Sequence, residues 1–469
     1  MITPPRRAAA AVLESPALVA MLAATLSVSL ACALAVWAPS PKMFAGAVVA
    51  ALLLALVAQG VRRWGALGVA VAAIALSILA GELSAVAMGG QSGRLLWADA
   101  VLASTVAIAL MRSRLRIEFD LPPFLIALGG FLVWSCMSVL PAADPLTAIA
   151  EIKEWMAAWV AGLLAATYAS DVRRARFVLG AVAAAGAVMS AHMAWVAFHA
   201  PLGPVLTIVM KQVDLPWGRT NYLAGILILQ LPLALGLAGT AASGRIRAAW
   251  IGVAIACATG IVLSASKGAI VALVAALIVA YGLGGRATRA AFAGVALLCA
   301  TGALVFTIGP LRHVLEYRLQ RSALDYSIGE RVDLYRLAWD EFVRHPLLGI
   351  GLNNFSVSAH RLTGVDTVPH NLELGFLAEL GLPGLVLAIG GMVALLGLGW
   401  RARGASARGG HALGVALWAT FLAAVIHNQF ESTIYGEQYK LVLVLTIAAA
   451  VRLTAGCNAP RAGGEHPRS

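Results

Sequence analysis

The stretch NYLAGILILQLPLALGLAGT at residues 221–240 runs for twenty residues without a charged side chain. A helix needs about 20 apolar residues to cross a hydrocarbon layer roughly 30 Å thick. Similar runs recur along the chain, near 17–38, 43–61, 65–86, 96–111, 122–141, 154–170, 175–198, 248–264, 268–285, 289–309, 382–400, 411–428 and 438–455. With 221–240 they make fourteen candidate spans. The whole composition agrees: 61% of the 469 residues are hydrophobic, 12% are charged, and the mean hydropathy is +0.86. A soluble domain of this size carries about a quarter charged residues. The expected fold is therefore all-α, a polytopic membrane helix bundle of about twelve to fourteen spans with one large loop.

Charge placement gives the expected orientation. Arg62/Arg63, Arg112/Arg114/Arg116, Arg173/Arg174/Arg176, Arg245/Arg247, Arg286/Arg289 and Arg401/Arg403/Arg408 fall in alternate loops. The loops between hold single charges such as Lys42, Arg94, Lys153, Lys267 and Lys440, plus Lys211 and Arg219 in one longer loop. Basic clusters mark the cytoplasmic side, so both termini are expected there, in a bacterial inner membrane. The net charge of +12 thus reflects short loops rather than a nucleic-acid surface. The start resembles a signal peptide, but the run is long and leads to Pro39-Ser40-Pro41-Lys42, so an anchor span is expected. The cysteines Cys32, Cys136, Cys257, Cys299 and Cys457 lack metal-site spacing and read as small core residues.

The expected organisation is a transmembrane bundle over 1–309, a large outer loop over 310–371, C-terminal spans over 372–455, and a tail over 456–469. The loop holds seven arginines, including Arg331, Arg336, Arg344 and Arg361. From Glu330 to Arg344, Val332, Tyr335, Trp339, Phe342 and Val343 recur at helical spacing, and Pro346 ends the pattern. This helix is expected on the bundle or at the lipid surface. The next stretch, Pro346 to Phe355, is a glycine turn and not a dinucleotide fingerprint, because no βαβ unit flanks it.

Polar residues near membrane depth are functional candidates, and here they gather on the outer side. Arg219, Asn221 and Tyr222 precede one span. Ser264, Ser266 and Lys267 sit in a tight turn. His370, Asn371, Glu373 and Glu379 lead into another span, and His427, Asn428, Gln429 and Glu431 close the next. Each has a plainer reading: Arg219 as a snorkelling anchor, Lys267 as a partner of membrane-lipid phosphate, His370 as an exposed loop histidine. Glu373 lies three residues after His370, a spacing that can set a carboxylate beside the ring on one helix face. H-E-x-x-H, paired CxxC, P-loop, Asp-x-Asp and G-x-S-x-G patterns are all missing from the sequence. Cations and a candidate base remain. They suit attack by a sugar hydroxyl on a glycan whose leaving group is a lipid pyrophosphate, the cations meeting the developing charge without a metal.

The segments Arg331…Trp339…His345-Pro346-Leu347-Leu348-Gly349-Ile350-Gly351-Leu352-Asn353-Asn354-Phe355 and His370-Asn371-Leu372-Glu373…Glu379-Leu380-Gly381-Leu382-Pro383-Gly384 resemble the signature region of the O-antigen ligase and O-antigen polymerase superfamily. Gly218-Arg219-Thr220-Asn221-Tyr222 and Ser264-Ala265-Ser266-Lys267-Gly268 resemble two further family segments, in the expected order. The resemblance implies donor-phosphate roles for Arg219, Lys267 and Arg331 and catalytic roles for His370 and Glu373. It implies support from Asn221, Tyr222, Ser266, Asn353, Asn354, Asn371, Glu379 and His427. The implied partners are an undecaprenyl-pyrophosphate-linked glycan and an acceptor glycan or glycolipid, with no cofactor and no metal. The family's Ser-Arg-Gly reads Ser266-Lys267-Gly268 here, which keeps the charge and loses bidentate geometry. The acceptor could be lipid A-core (a ligase), another lipid-linked repeat unit (a polymerase of O-antigen, capsule or exopolysaccharide), or a protein side chain. From other classes, a flippase or transporter of lipid-linked saccharides would line both halves of the bundle with polar groups, and a scaffold would need none of them.

Overall fold

The chain's computed structural model describes residues 82–88, 91–96, 121–199, 220–264, 266–284, 321–364, 367–405 and 411–455, together with 68, 71–75, 102, 289 and 293. The expected spans at 17–38 and 43–61, nearly all of those at 96–111 and 289–309, Arg219 and the tail lie outside the described residues. In chain order the described elements are strands β1 (Glu82–Met88) and β2 (Gln91–Leu96), then the helices. These are α1 (Pro123–Met137), α2 (Pro145–Tyr168), α3 (Val172–His199), α4 (Thr220–Gly239), α5 (Gly244–Ser264), α6 (Lys267–Leu283), α7 (Arg321–Arg344), α8 (Phe355–Thr363), α9 (Leu372–Ala405), α10 (His411–His427) and α11 (Glu437–Ala455).

A helix apolar on every face is stable only when wrapped by other helices or lipid. The stretch that begins at Thr220 obeys this rule from the inside: α4 is buried along almost its whole length and packs on α3, α5 and α10. Four described helices are long and apolar enough to cross a membrane, namely Val172–Trp195, Thr220–Gly239, Gly244–Ser264 and Leu372–Gly404. Three shorter apolar helices accompany them, Pro123–Met137, Lys267–Leu283 and His411–His427. The described chain is a helical membrane bundle.

Three expectations about element boundaries are corrected. Residues 82–86, read as the end of a span, form strand: β1 and β2 pair antiparallel, with Met88 opposite Gln91. Gly89-Gly90 between them is a dipeptide that favours a two-residue hairpin connection, a local signal that overrides the apolar run. Second, α2 starts at Pro145, nine residues before the expected span at 154. Asp144 caps it by accepting from the Leu146 and Thr147 backbone N–H groups, and Pro145 sits at the first helical position. Lys153 and Lys440, read as loop charges, consequently lie in helices α2 and α11, Lys440 with no exposed surface. Third, α7 begins at Arg321 rather than Glu330, because the isolated Gly329 is tolerated inside a helix at a cost of about 1 kcal/mol.

The loop is fastened to the bundle through backbone. Helix α9 is broken at Gly381 (φ 68°, ψ −162°), so its first two turns form a separate segment before the span that the sequence places at 382–400. The Pro346–Gly351 turn docks on that break. Ile350 N donates to Ala378 O at 3.0 Å, Gly351 N to Glu379 O at 3.0 Å, and Leu382 N to Pro346 O at 2.9 Å. A Cβ on Gly381 would collide with the Leu347 carbonyl, and one on Gly349 (φ 66°) with the Glu379 backbone. Gly381→Ala is therefore expected to destabilise the protein by about 1–3 kcal/mol from backbone strain alone. Thermal unfolding of the detergent-solubilised variant measures this, and an unchanged melting temperature would remove the docked turn as a structural element.

Candidate active site

The site is organised by a carboxylate that no local motif announces. After α10 ends at His427, the chain turns tightly: Phe430 N and Glu431 N both donate to His427 O at 2.9 Å. Asn428 braces the turn, donating to Ala424 O (2.8 Å) and to the Tyr439 hydroxyl (2.9 Å) and accepting from Ile434 N (3.3 Å). This rigid connection holds Glu431 inward, 8% exposed. A buried carboxylate must be paired, and three segments distant in sequence pair it. Asn221 Nδ2 at the start of α4 donates to Oε1 at 2.8 Å. Arg331 Nη2 on α7 reaches the same oxygen at 3.4 Å. His370 Nδ1, just before α9, meets Oε2 at 3.1 Å. Burial would raise the Glu431 carboxyl, but the His370 hydrogen bond and charge, then Arg331 and His427, outweigh it and hold the group below its ordinary carboxylate value. Glu431 is a carboxylate at neutral pH.

His370 is held in an unusual backbone state, φ +55°. A non-glycine residue there carries strain of about 1–3 kcal/mol and persists only where its surroundings impose it. Here Leu372 N donates to Asn428 O at 2.9 Å, and Asn371 Oδ1 accepts from Leu374 N at 2.9 Å to cap α9. Asn371 Nδ2 also reaches Gln429 Oε1 at 3.5 Å. The result aims the ring at Glu431. An ionised carboxylate only accepts, so Nδ1 carries the proton in that contact and the lone pair of neutral imidazole falls on Nε2. The side chain is 26% exposed.

The expected pairing of His370 with Glu373 does not form. Helical spacing requires both residues to be helical, and His370 lies outside α9 with positive φ. Glu373 instead accepts from Gln429 Nε2 at 2.8 Å, and its other oxygen is buried without a partner among the described residues. Ser266 opens α6, its hydroxyl accepting from Ala269 N at 3.4 Å. The adjacent Lys267 is exposed, and its neighbour Gly268 lies against the Glu431 turn: a Cβ there would stand 3.1 Å from Phe430 Cβ and 3.6 Å from Glu431 Cγ. Lys267 thus sits at the edge of the same cluster. Arg219 lies outside the described residues.

The remaining expected residues support rather than line this cluster. His427 is fully buried, with Nδ1 3.1 Å from the Thr433 hydroxyl and its ring close against Gly225 of α4. Tyr222 packs near Gly436. Glu379 accepts from Phe355 N (3.2 Å) and from the Tyr435 hydroxyl (2.7 Å). Asn354 accepts from Asp144 N at 2.7 Å and donates to Asp144 O at 3.1 Å, tying the loop to the head of α2. Asn353, also at positive φ, reaches Glu151 Oε2 at 3.5 Å. These last three fasten the loop to α2 and to the residues after Glu431.

The described residues include no group of three or more His, Cys, Asp and Glu side chains arranged to hold a metal. No curated protein matches the chain. Residues 251–389 match a family model described as O-antigen ligase. That segment carries Lys267, Arg331, Asn353, Asn354, His370, Asn371, Glu373 and Glu379, while Asn221, His427 and Glu431 lie outside it. Over this segment, less than a third of the chain, the protein is similar to the O-antigen ligase family.

Proposed function

We propose that the protein transfers a glycan from undecaprenyl pyrophosphate to a sugar hydroxyl of an acceptor, on the periplasmic side of the bacterial inner membrane. The observation that carries this reading is Glu431, a buried carboxylate shared by His370 and Arg331. It sets a base and a cation within one carboxylate of each other. In the reaction the acceptor oxygen attacks the anomeric carbon of the donor sugar, and its proton passes to His370 Nε2. The bond from that carbon to the phosphate oxygen breaks, and its electron pair leaves with the pyrophosphate. Arg331 and Lys267 carry the charge that develops there, as Arg219 would from the segment beside Asn221. The alternation of arginine-rich loops supports the periplasmic orientation.

The family covers ligases and polymerases, and a deletion strain distinguishes them. Full-length chains left on the carrier lipid, with unsubstituted core, identify a ligase; single repeat units on core identify a polymerase. Surface polysaccharides identical to wild type would overturn the proposal. Because side-chain cations meet the leaving group, transfer in isolated membranes is expected to withstand chelation of divalent ions. A lasting loss in chelator that magnesium restores would show that a metal carries that charge instead.

A further inference from the structure

Helix α7 joins the candidate site to an apolar surface that the transfer chemistry does not use. Only 22% of the most apolar stretch of Leu372–Gly404 is buried inside the protein, and its mean hydropathy is 2.1, so its outer face meets lipid. Leu382, Val386, Ile389 and Val393 recur on that face at helical steps and are 48% to 63% exposed. The row does not stop where the span stops. Leu382 N is hydrogen-bonded to Pro346 O, and the next residue, Leu347, is 69% exposed. Four residues earlier stands Val343 (60%), and four before that Trp339 (53%). The opposite face of α7 is packed, Leu334 and Ala338 clustering with Ile350, Phe355, Ala359 and Ala378. Left in water, side chains such as Val343 and Leu347 would keep most of their apolar surface hydrated, which is unfavourable.

We propose that the C-terminal half of α7 binds membrane lipid, lying in the boundary between headgroups and acyl chains through Trp339, Val343 and Leu347. The occupant is lipid rather than a protein partner because the row starts at Leu347, beside the Pro346–Leu382 hydrogen bond where the exposed apolar face of the α9 span begins. The flanking charges fit the same position. Arg336 and Arg344 are 75% and 63% exposed; Arg336 makes a surface ion pair with Asp333 at 3.4 Å, and Arg344 pairs at 3.7 Å with Glu341, whose side chain is 12% exposed. The exposed Arg336–Asp333 pair is weak, so the Arg336 guanidinium can turn to a lipid phosphate while its stem stays on the apolar face. Arg331 lies two turns before Trp339 on the same helix. Lipid contact at one end of α7 therefore fixes the depth at which the other end presents a cation to Glu431.

The test is photocrosslinking of the full-length protein reconstituted in phosphatidylethanolamine–phosphatidylglycerol vesicles. A benzoylphenylalanine is installed at Val343, at Leu347 or, as a control on the charged face, at Asp333. Lipid adducts several-fold more abundant at 343 and 347 than at 333 are expected. Adducts to a second copy of the chain, or lipid adducts no more abundant than at 333, would overturn the proposal. A Trp339→Phe variant, with quenching by brominated lipid read as the difference from the parent, checks the same surface without an added crosslinker; no difference counts against it. Neither readout involves glycan transfer, so either result leaves the transfer proposal untouched.

Discussion

His370→Ala is expected to lower glycan transfer by roughly 10²–10⁴-fold, the range associated with loss of a positioned proton acceptor, while the protein still accumulates in the membrane. The structural reason is that Nε2 is the ring nitrogen left free once Glu431 takes Nδ1 at 3.1 Å. Glu431→Gln makes the sharper test. An amide nitrogen facing Nδ1 would donate rather than accept, driving the imidazole toward the tautomer whose Nε2 carries hydrogen and cannot take a proton. A loss approaching that of His370→Ala is expected in kcat, with KM for the donor changed less; Glu431→Asp should recover part of it. A rise in KM alone, with kcat unchanged, would assign Glu431 to donor binding. The pH dependence has a definite sign. Glu431 is held below its ordinary value in the folded protein, so its stabilising contribution is complete above the unfolded value of about 4.3 and is lost as pH falls through the folded value. The melting-temperature gap between wild type and Glu431→Gln should persist at neutral pH and shrink as pH falls below the unfolded value of about 4.3. A gap that closes between pH 8 and 6 would mean that Glu431 is not the ionised partner described here.

The bundle itself was legible because spanning helices follow from runs of apolar residues, and α3, α4, α5, α6, α10 and α11 start within four residues of their expected positions. Where charges enter a helix, hydropathy fails. The first turns of α2 contain Glu151 and Lys153 and read as loop, although Lys440 and Glu437 on α11 pair them. The site shows the same division. His370 stands out from its sequence neighbours, but its carboxylate lies 61 positions away and becomes its partner only through the turn after α10. Glu373 has the right spacing for a regular helix, and the positive φ of His370 cancels the rule on which that spacing depends. The resemblance implies Asn353 and Asn354 as supporting residues; their contacts with Asp144 and Glu151 make them fasteners of the loop.

Lys440→Met is expected to cause the largest loss of stability, on the order of 3–5 kcal/mol, because removing one partner of a buried ion pair leaves the others uncompensated. Lys440 has no exposed surface, and its ammonium donates to Glu151, to Glu154 at 2.7 Å and to the Tyr435 carbonyl at 3.3 Å, using all three hydrogens. The Trp155 ring lies 5.3 Å from the nitrogen. Methionine fills similar volume but leaves the Glu151 carboxylate, 2% exposed, and that of Glu154, 19% exposed, facing each other without a cation. Glu154→Gln should cost less than Glu151→Gln, since Glu154 retains contact with its surroundings outside the protein core. The double variant Lys440→Met with Glu151→Leu should regain most of the stability, because replacing a whole buried pair by apolar side chains is often close to neutral. Melting of detergent-solubilised protein and steady-state abundance in the membrane report each case. Activity should follow stability through these variants, since Lys440 also holds the Tyr435 carbonyl, four residues beyond the carboxylate that aims His370. A Lys440→Met protein that melts like wild type would show that the two glutamates share a proton and need no cation between them.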